Sequence, residues 1–389
     1  MSYVYVRGIA TALALMALTG QAYAEPSDPW VRAWGLNSAG QLGNGSTLDQ
    51  QTPSAVTGLA RDDVQQLAGG GLSDVTSFAV ALLHDGTVRS WGGNSAGQLG
   101  DGTTTSRSFA ASVAGLSGVS SVTAGGNFAL AVRGGRVLAW GDNSYGQLGN
   151  GASAAANAPA TSRPVRVQSL DKVKDIGAGC AHTVALREDG TVWTWGRNSN
   201  AQLGDGSTTD RNTPGRVAGL SDVVGIAVGC HHTLALLADG SVRAWGRNAN
   251  GQLGNDSTEA SPVPVPVHHL ENVASVHVGG HHSLAVLDDG GVRAWGWNAD
   301  GQLGDGSTVN RTTPVPVPGL TGVTSLTGSW KHTLALLDDQ SVLGWGDNGS
   351  GQLGNGTTSP SLSPVTALPP GSGTTRVATS TSWKTSYAY

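Results

Sequence analysis

The chain has 389 residues with 22 Lys and Arg against 27 Asp and Glu, and its formal net charge of -5 provides no electrostatic footprint for DNA or RNA. Its 59 glycines gather in turn-like clusters instead of occupying every third position, which excludes a collagen-like assembly. At 13% charged and 38% hydrophobic it can build a continuous core, and no segment beyond the first 24 residues approaches 18 consecutive apolar positions.

Residues 1–24 stand apart from the rest. Arg7 precedes an apolar run from Ile9 to Leu18, and Ala22-Tyr23-Ala24 before Glu25 has the small-x-small form of a signal-peptidase site. The expectation is a signal peptide over 1–24, a mature domain over 25–389, a secreted or periplasmic location, and no stable membrane insertion after cleavage. The leader holds one arginine and no acid, so its removal would take the charge from -5 to -6.

From residue 30 onward the chain repeats. Trp-Gly, an Asn two positions further on and a block in the style of Gly-Gln-Leu-Gly recur at Trp34, Trp91, Trp140, Trp195, Trp245, Trp295 and Trp345, at intervals of 57, 49, 55, 50, 50 and 50 residues. That period is one small antiparallel unit, which cannot bury its apolar face alone and must stack on copies of itself. The long first and third intervals place extra residues around Gly69 to Val75 and Ala152 to Thr161, read as surface loops.

Within a unit, Thr233 to Leu237 is short and apolar, Asp239-Gly240 marks a turn, and Val242 to Trp245 alternates side to side. Pro262 to Val265 suggests a third strand and Val273 to Val276 a fourth. Prolines recurring at Pro164, Pro214, Pro314 and Pro364 place the third at or near an outer edge, where a missing N–H breaks no ladder. Ser382 to Tyr389 reads as the opening half of a unit and Trp30 to Gly35 as a closing half. Two fragments that complete one repeat indicate an all-β seven-bladed propeller closed by pairing of its N- and C-terminal segments.

Seven copies of a motif suit a scaffold better than catalysis. The tryptophans are expected between blades, Leu42 and its counterparts in the inter-blade core, and Asn37 and its counterparts as loop anchors. His182, His232, His282 and His332 recur at 50-residue steps. Equivalent side chains on a ring diverge and do not converge at about 2.0–2.2 Å on one ion. The expectation is therefore no metal site and a bond from each imidazole to its own blade's backbone, with His231 and His281 exposed at the rim. Cys180 and Cys230 hold equivalent positions in adjacent repeats. Two buried free thiols are the first reading and a disulfide the second, since a bridge needs alpha-carbons within about 7 Å. Asp205-Gly206-Ser207 and Asp305-Gly306-Ser307 lack the later Glu of a calcium loop and read as turns.

The signature Trp34-Gly35-Leu36-Asn37-Ser38-Ala39-Gly40-Gln41-Leu42-Gly43 and the strand Gly179-Cys180-Ala181-His182-Thr183-Val184-Ala185-Leu186 resemble the regulator of chromosome condensation (RCC1-like) repeat family, of the exported bacterial type, over residues 30–389. The resemblance implies a seven-bladed propeller and not one activity. Nuclear members exchange nucleotide on a small GTPase and contact chromatin, partners that an exported acidic chain would not meet.

Positions just before each apolar strand vary from repeat to repeat. Asn127, Phe128, His231, His281, Trp330, Lys331, Trp383 and Lys384 are therefore the candidate binding face of a monomeric module for an extracellular or envelope protein. Trp330 and Trp383 could equally fill the central funnel beside the seam. The alternative is an extracellular hydrolase or lyase using His231, His281 and a rim acid such as Asp74. No cofactor is expected, because no phosphate loop, Rossmann glycine pattern, Gly-x-Ser-x-Gly or His-Glu-x-x-His is present.

Overall fold

The computed structural model describes residues 30–60, 63–152, 161–380 and 384–389. They form seven four-stranded antiparallel sheets arranged in a ring, with no α-helix among the described residues. Blade 4 is typical. Its strands are Val223–Val228, His232–Leu237, Val242–Gly246 and Ser261–Pro266, paired in that order from the axis outward. The innermost strands line a channel along the axis with small residues such as Ala68, Thr123, Gly177 and Ser325, together with His277.

The outermost strand of each blade, proline-bearing in six of the seven, pairs on one side only, as with Ser261–Pro266 on Val242–Gly246. One expectation needs correction. The segment beginning at Val273 is not a fourth strand of the unit before it but the inner strand of the next blade, Val273–Val278 on His282–Leu287. Sequence repeat and blade are thus offset by one strand, because the link from outer strand to inner strand is too short to show as a boundary. The first long interval is also narrower than read: Gly69 and Gly70 belong to the inner strand Val64–Gly70, and the loop proper spans Gly71 to Ser77. Most of the Ala152 to Thr161 insertion lies outside the described residues, as do residues 1–24 and Trp383.

Closure follows the split-repeat expectation. The seventh blade is built from Val377–Thr379 and Thr385–Ala388 on the inside and Trp30–Gly35 and Gln50–Ala60 on the outside. Arg32 lies opposite Ala388, Ala33 opposite Tyr387 and Gly35 opposite Thr385.

The repeated motif joins neighbouring blades. Every motif tryptophan is fully buried, and its indole Nε1 donates to the carbonyl of the motif glutamine in the preceding blade: Trp91 to Gln41 at 2.8 Å, Trp245 to Gln202 at 3.1 Å, and Trp34 to Gln352 at 2.9 Å across the seam. The motif asparagine clamps the loop after it. Asn198 Oδ1 accepts from Leu203 N at 2.9 Å, while its Nδ2 donates to Ser207 O at 3.0 Å. The glycines of the motif cannot be replaced without strain, as two of them show. Gly35 has φ +97°, and a Cβ there would collide with the Lys384 carbonyl; Gly43 has φ +66°, and a Cβ would sit 2.7 Å from Trp91 Nε1.

The histidines in register bridge blades rather than bonding their own backbone. His232 Nε2 lies 2.9 Å from Ser283 Oγ, His282 Nε2 lies 3.0 Å from Thr333 Oγ1, and His332 Nε2 lies 2.8 Å from Ser386 Oγ. Those hydroxyls donate back to Gln252, Gln302 and Gln352 carbonyls at 2.8 Å, so each histidine is the donor and carries its proton on Nε2. The own-blade expectation fails because the second strand points this side chain into the gap between sheets, where it meets the next blade's hydroxyl. His182 breaks the series, since neither its ring nitrogens nor Thr233 Oγ1 has a partner.

Candidate functional site: the rim of one propeller face

Two sets of loops share one face of the ring. One joins each inner strand to its second strand; the other follows the third strand and carries the Gly-Gln-Leu-Gly block. They are stitched together by backbone bonds such as Arg247 N to His231 O at 2.9 Å and Trp297 N to His281 O at 3.0 Å. Around the channel mouth the inner loops bond blade to blade: Cys180 N donates to Cys230 O at 3.2 Å, Cys230 N to Gly280 O at 3.1 Å and Gly280 N to Ser329 O at 2.9 Å. This rigid ring presents whatever side chains the loops carry.

Cys180 and Cys230 are joined through their sulfurs, with alpha-carbons 4.5 Å apart. The bridge links blades 3 and 4, the same junction at which His182 and Thr233 leave the cross-blade bond unmade. Closing a loop over a separation of 50 residues restricts the unfolded chain by about 4 kcal/mol in the loop-entropy picture.

Beside the bridge stands an aromatic cluster. The rings of His231 and His281 stack 5.6 Å apart at 11°, Trp330 meets His281 edge-on at 4.5 Å, and Trp297 meets it at 6.1 Å. Lys331 Nζ lies 5.6 Å from the Trp297 ring centre and 3.2 Å from Asp300 Oδ1. The expectation that both histidines are exposed is corrected: His281 is buried and His231 half-buried, because each covers the other and Trp330 and Trp297 cover His281. Burial, reinforced by the nearby Arg247 charge, lowers His231 to about 4; burial, reinforced by His231 and Arg247, lowers His281 to about 3. Both rings are neutral at physiological pH.

The other expected rim residues scatter. Phe128 is fully buried and cannot contribute to a binding face; it occupies the register position of His182 on its blade and points between sheets. Asn127 is half-buried on blade 2, where its carbonyl accepts from Asp142 N at 2.9 Å. Lys384 lines a hollow with Leu72 to Val75 at the seam. Trp383 lies outside the described residues. Asp74 is exposed in the blade 1 loop, across the ring from His231 and His281 on blades 4 and 5, so that constellation is not brought together. Among the described residues no group of three or more His, Cys, Asp or Glu is placed to hold a metal ion.

Three rim residues were missed in the sequence because they fall inside the Trp-Gly-x-Asn motif, at its variable position: Arg197, Arg247 and Trp297. Arg197 lies 4.7 Å over the Tyr145 ring, and its Nε donates to Ser199 Oγ at 2.9 Å. The signal was present, since the variable position reads Leu36, Gly93, Asp142, Arg197, Arg247, Trp297 and Asp347 around the ring. Beneath it lies the buried motif glutamine, whose Oε1 accepts a backbone N–H two residues earlier, as from Asn250 N to Gln252 at 3.0 Å. In blades 2 and 6 the Nε2 of Gln147 and Gln352 donates to Asp142 and Asp347 Oδ2, each at 2.9 Å. Under Arg197, Arg247 and Trp297, by contrast, Gln202, Gln252 and Gln302 Nε2 are buried without a partner. Each such orphan costs about 1–3 kcal/mol.

The profile of the RCC1-like domain matches residues 30–384. The chain belongs to the RCC1-like family. This RCC1-like chain is 32% identical over 179 residues to human "E3 ubiquitin-protein ligase HERC2", a match covering 45% of the chain and 4% of the ligase. It is 31% identical over 183 residues to the Arabidopsis thaliana "Ultraviolet-B receptor UVR8", covering 46% of the chain and 40% of the receptor. The matched part is thus a minor share of either relative. Among solved structures, human WBSCR16 superposes with a TM-score of 0.80 at 25% identity, covering 92% of this chain and 99% of that one. Prp20p from Saccharomyces cerevisiae gives 0.79 at 23% identity, covering 92% and 91%. WBSCR16 and Prp20p share the fold of this chain.

Proposed function

We propose that this RCC1-like propeller is a secreted or periplasmic protein-binding module of the exported bacterial type, acting as a monomer through the rim described above. One observation carries the reading: on a scaffold whose motif bonds repeat blade after blade, five of the side chains that break the repeat, His231, His281, Trp297, Trp330 and Lys331, gather at one channel mouth. Large aromatics beside a cation, held on rigid loops, are the composition of an interface anchor. Yeast Prp20p, of the same fold, is described as binding Gsp1p and histones, and the present reading extends only the use of the fold for protein contact. Export is supported by Arg7, the apolar run Ile9 to Leu18 and the Ala22-Tyr23-Ala24 site.

The double variant Trp330→Ala/Lys331→Ala tests it. With fold retained by circular dichroism, capture of secreted and envelope proteins from the cell of origin should fall at least about tenfold, the size expected for a central anchor. Undiminished capture by the folded variant would end the reading.

A further inference from the structure

We propose that blades 3 to 5 of this face receive the carboxylates of an acidic segment of a partner protein, seated on Arg197 and Arg247 and flanked by Trp297 and Trp330; the inference rests on the protein-binding reading above and specifies the chemistry of the partner. Asp142 and Asp347 show that the variable motif position accommodates a carboxylate, which takes the hydrogen bond of the buried glutamine at 2.9 Å. Five blades lack that aspartate, and in four of them the glutamine Nε2 is buried and unpartnered: Gln41 under Leu36, and Gln202, Gln252 and Gln302 in the consecutive blades 3 to 5, where Arg197, Arg247 and Trp297 stand above them.

Blades 3 to 5 adjoin the His231, His281 and Trp330 cluster, so three of the four orphaned positions lie together at one patch. Among the described residues neither Arg197 nor Arg247 forms an ion pair, and both stand on the rim beside the aromatic cluster. Stacking on Tyr145 and the bond to Ser199 hold the Arg197 guanidinium along the surface. Two uncompensated guanidiniums on a chain of net charge -5 make a local basic spot on an acidic body. A long polyanion or an anionic membrane would be repelled by that body, whereas a short acidic segment meets only the spot, so charge complementarity selects a protein partner.

The test compares the full chain with Arg197→Asp/Arg247→Asp, using a displayed library of random 12-residue peptides as the probe. Peptides enriched on the parent should be rich in Asp and Glu, weaken as salt rises, and bind the variant at least about tenfold less tightly. The variant's melting midpoint should hold or rise by about 2 °C, because its new carboxylates can meet Gln202 and Gln252. Enriched peptides that are not acidic, equal binding to the variant, no enrichment at all, or preference for a 20-nucleotide single-stranded DNA or phosphatidylglycerol vesicles would each overturn the inference. So would self-association of the parent that the swap abolishes. Capture of the natural partner lost in Trp330→Ala/Lys331→Ala but kept in Arg197→Asp/Arg247→Asp would remove the acidic-partner inference and leave the binding reading standing. Capture kept in both would remove both.

Discussion

Truncation after Ser382 should abolish cooperative folding. The strand Thr385–Ala388 sits inside the seventh blade, paired to Trp30–Gly35 on one side and to Val377–Thr379 on the other, so its loss strips two ladders at once. Its side chains also tie three blades together: Ser386 Oγ donates to Gln352 O at 2.8 Å, Tyr387 OH to Gln41 O at 2.9 Å, and Leu67 N to Tyr389 OH at 3.0 Å. Tyr387 and Tyr389 are 0% and 4% exposed. Their burial alone is worth about 1.5–3 kcal/mol each against a typical net stability of about 5–15 kcal/mol, before the ladders are considered. The truncated protein should be recovered aggregated or with no sharp calorimetric transition, and an unchanged melting midpoint would refute closure through this strand.

Acid should unfold the propeller well above the carboxylate range. Burial lowers His182, His281 and His282 to about 3, His231 and His277 to about 4, and His232 well below its ordinary 6.5. The unfolded chain therefore takes up protons below pH 6.5 that the native state refuses until about pH 4. Stability is complete above 6.5 and declines as pH falls through that window. Each histidine contributes a slope of about 1 kcal/mol per pH unit, so the group removes on the order of 5 kcal/mol over the first unit, comparable to a whole domain's stability. Urea titrations at pH 7.5, 6.0 and 5.0 should show a falling midpoint with an unchanged slope. A midpoint constant across that range would contradict the buried neutral state of the cluster.

The architecture was legible because closure is a covalent bookkeeping of half-repeats: Trp30 to Gly35 and Ser382 to Tyr389 declare a shared blade without any knowledge of distances. The roles of Trp34 and Asn37 were legible for the same reason, since a residue repeated seven times acts on its neighbours in the array. What depends on the rotation between blades was not. The partner of His232 is Ser283, 51 residues away, chosen by the width of the gap between two sheets. Phe128 looked like part of a variable rim but shares its register with buried His182, and only the pairing with Gly141 shows which way it points. Arg197 and Arg247 were hidden by their place inside a motif whose constant residues are structural; the variable position becomes informative once the orphaned amides of Gln202 and Gln252 are seen beneath it.

The most direct test of the account is to ask which face of the ring a partner touches. A photoreactive benzophenone side chain placed at Trp330, on the channel-mouth rim, is compared with one placed at Glu188, exposed on the turn at the opposite end of blade 3. Exposed to secreted and envelope proteins from the cell of origin and irradiated, the protein should give one dominant crosslinked species from position 330 and none from position 188, with the former competed away by unlabelled parent protein. Crosslinks formed equally from both positions, or only from position 188, would contradict it.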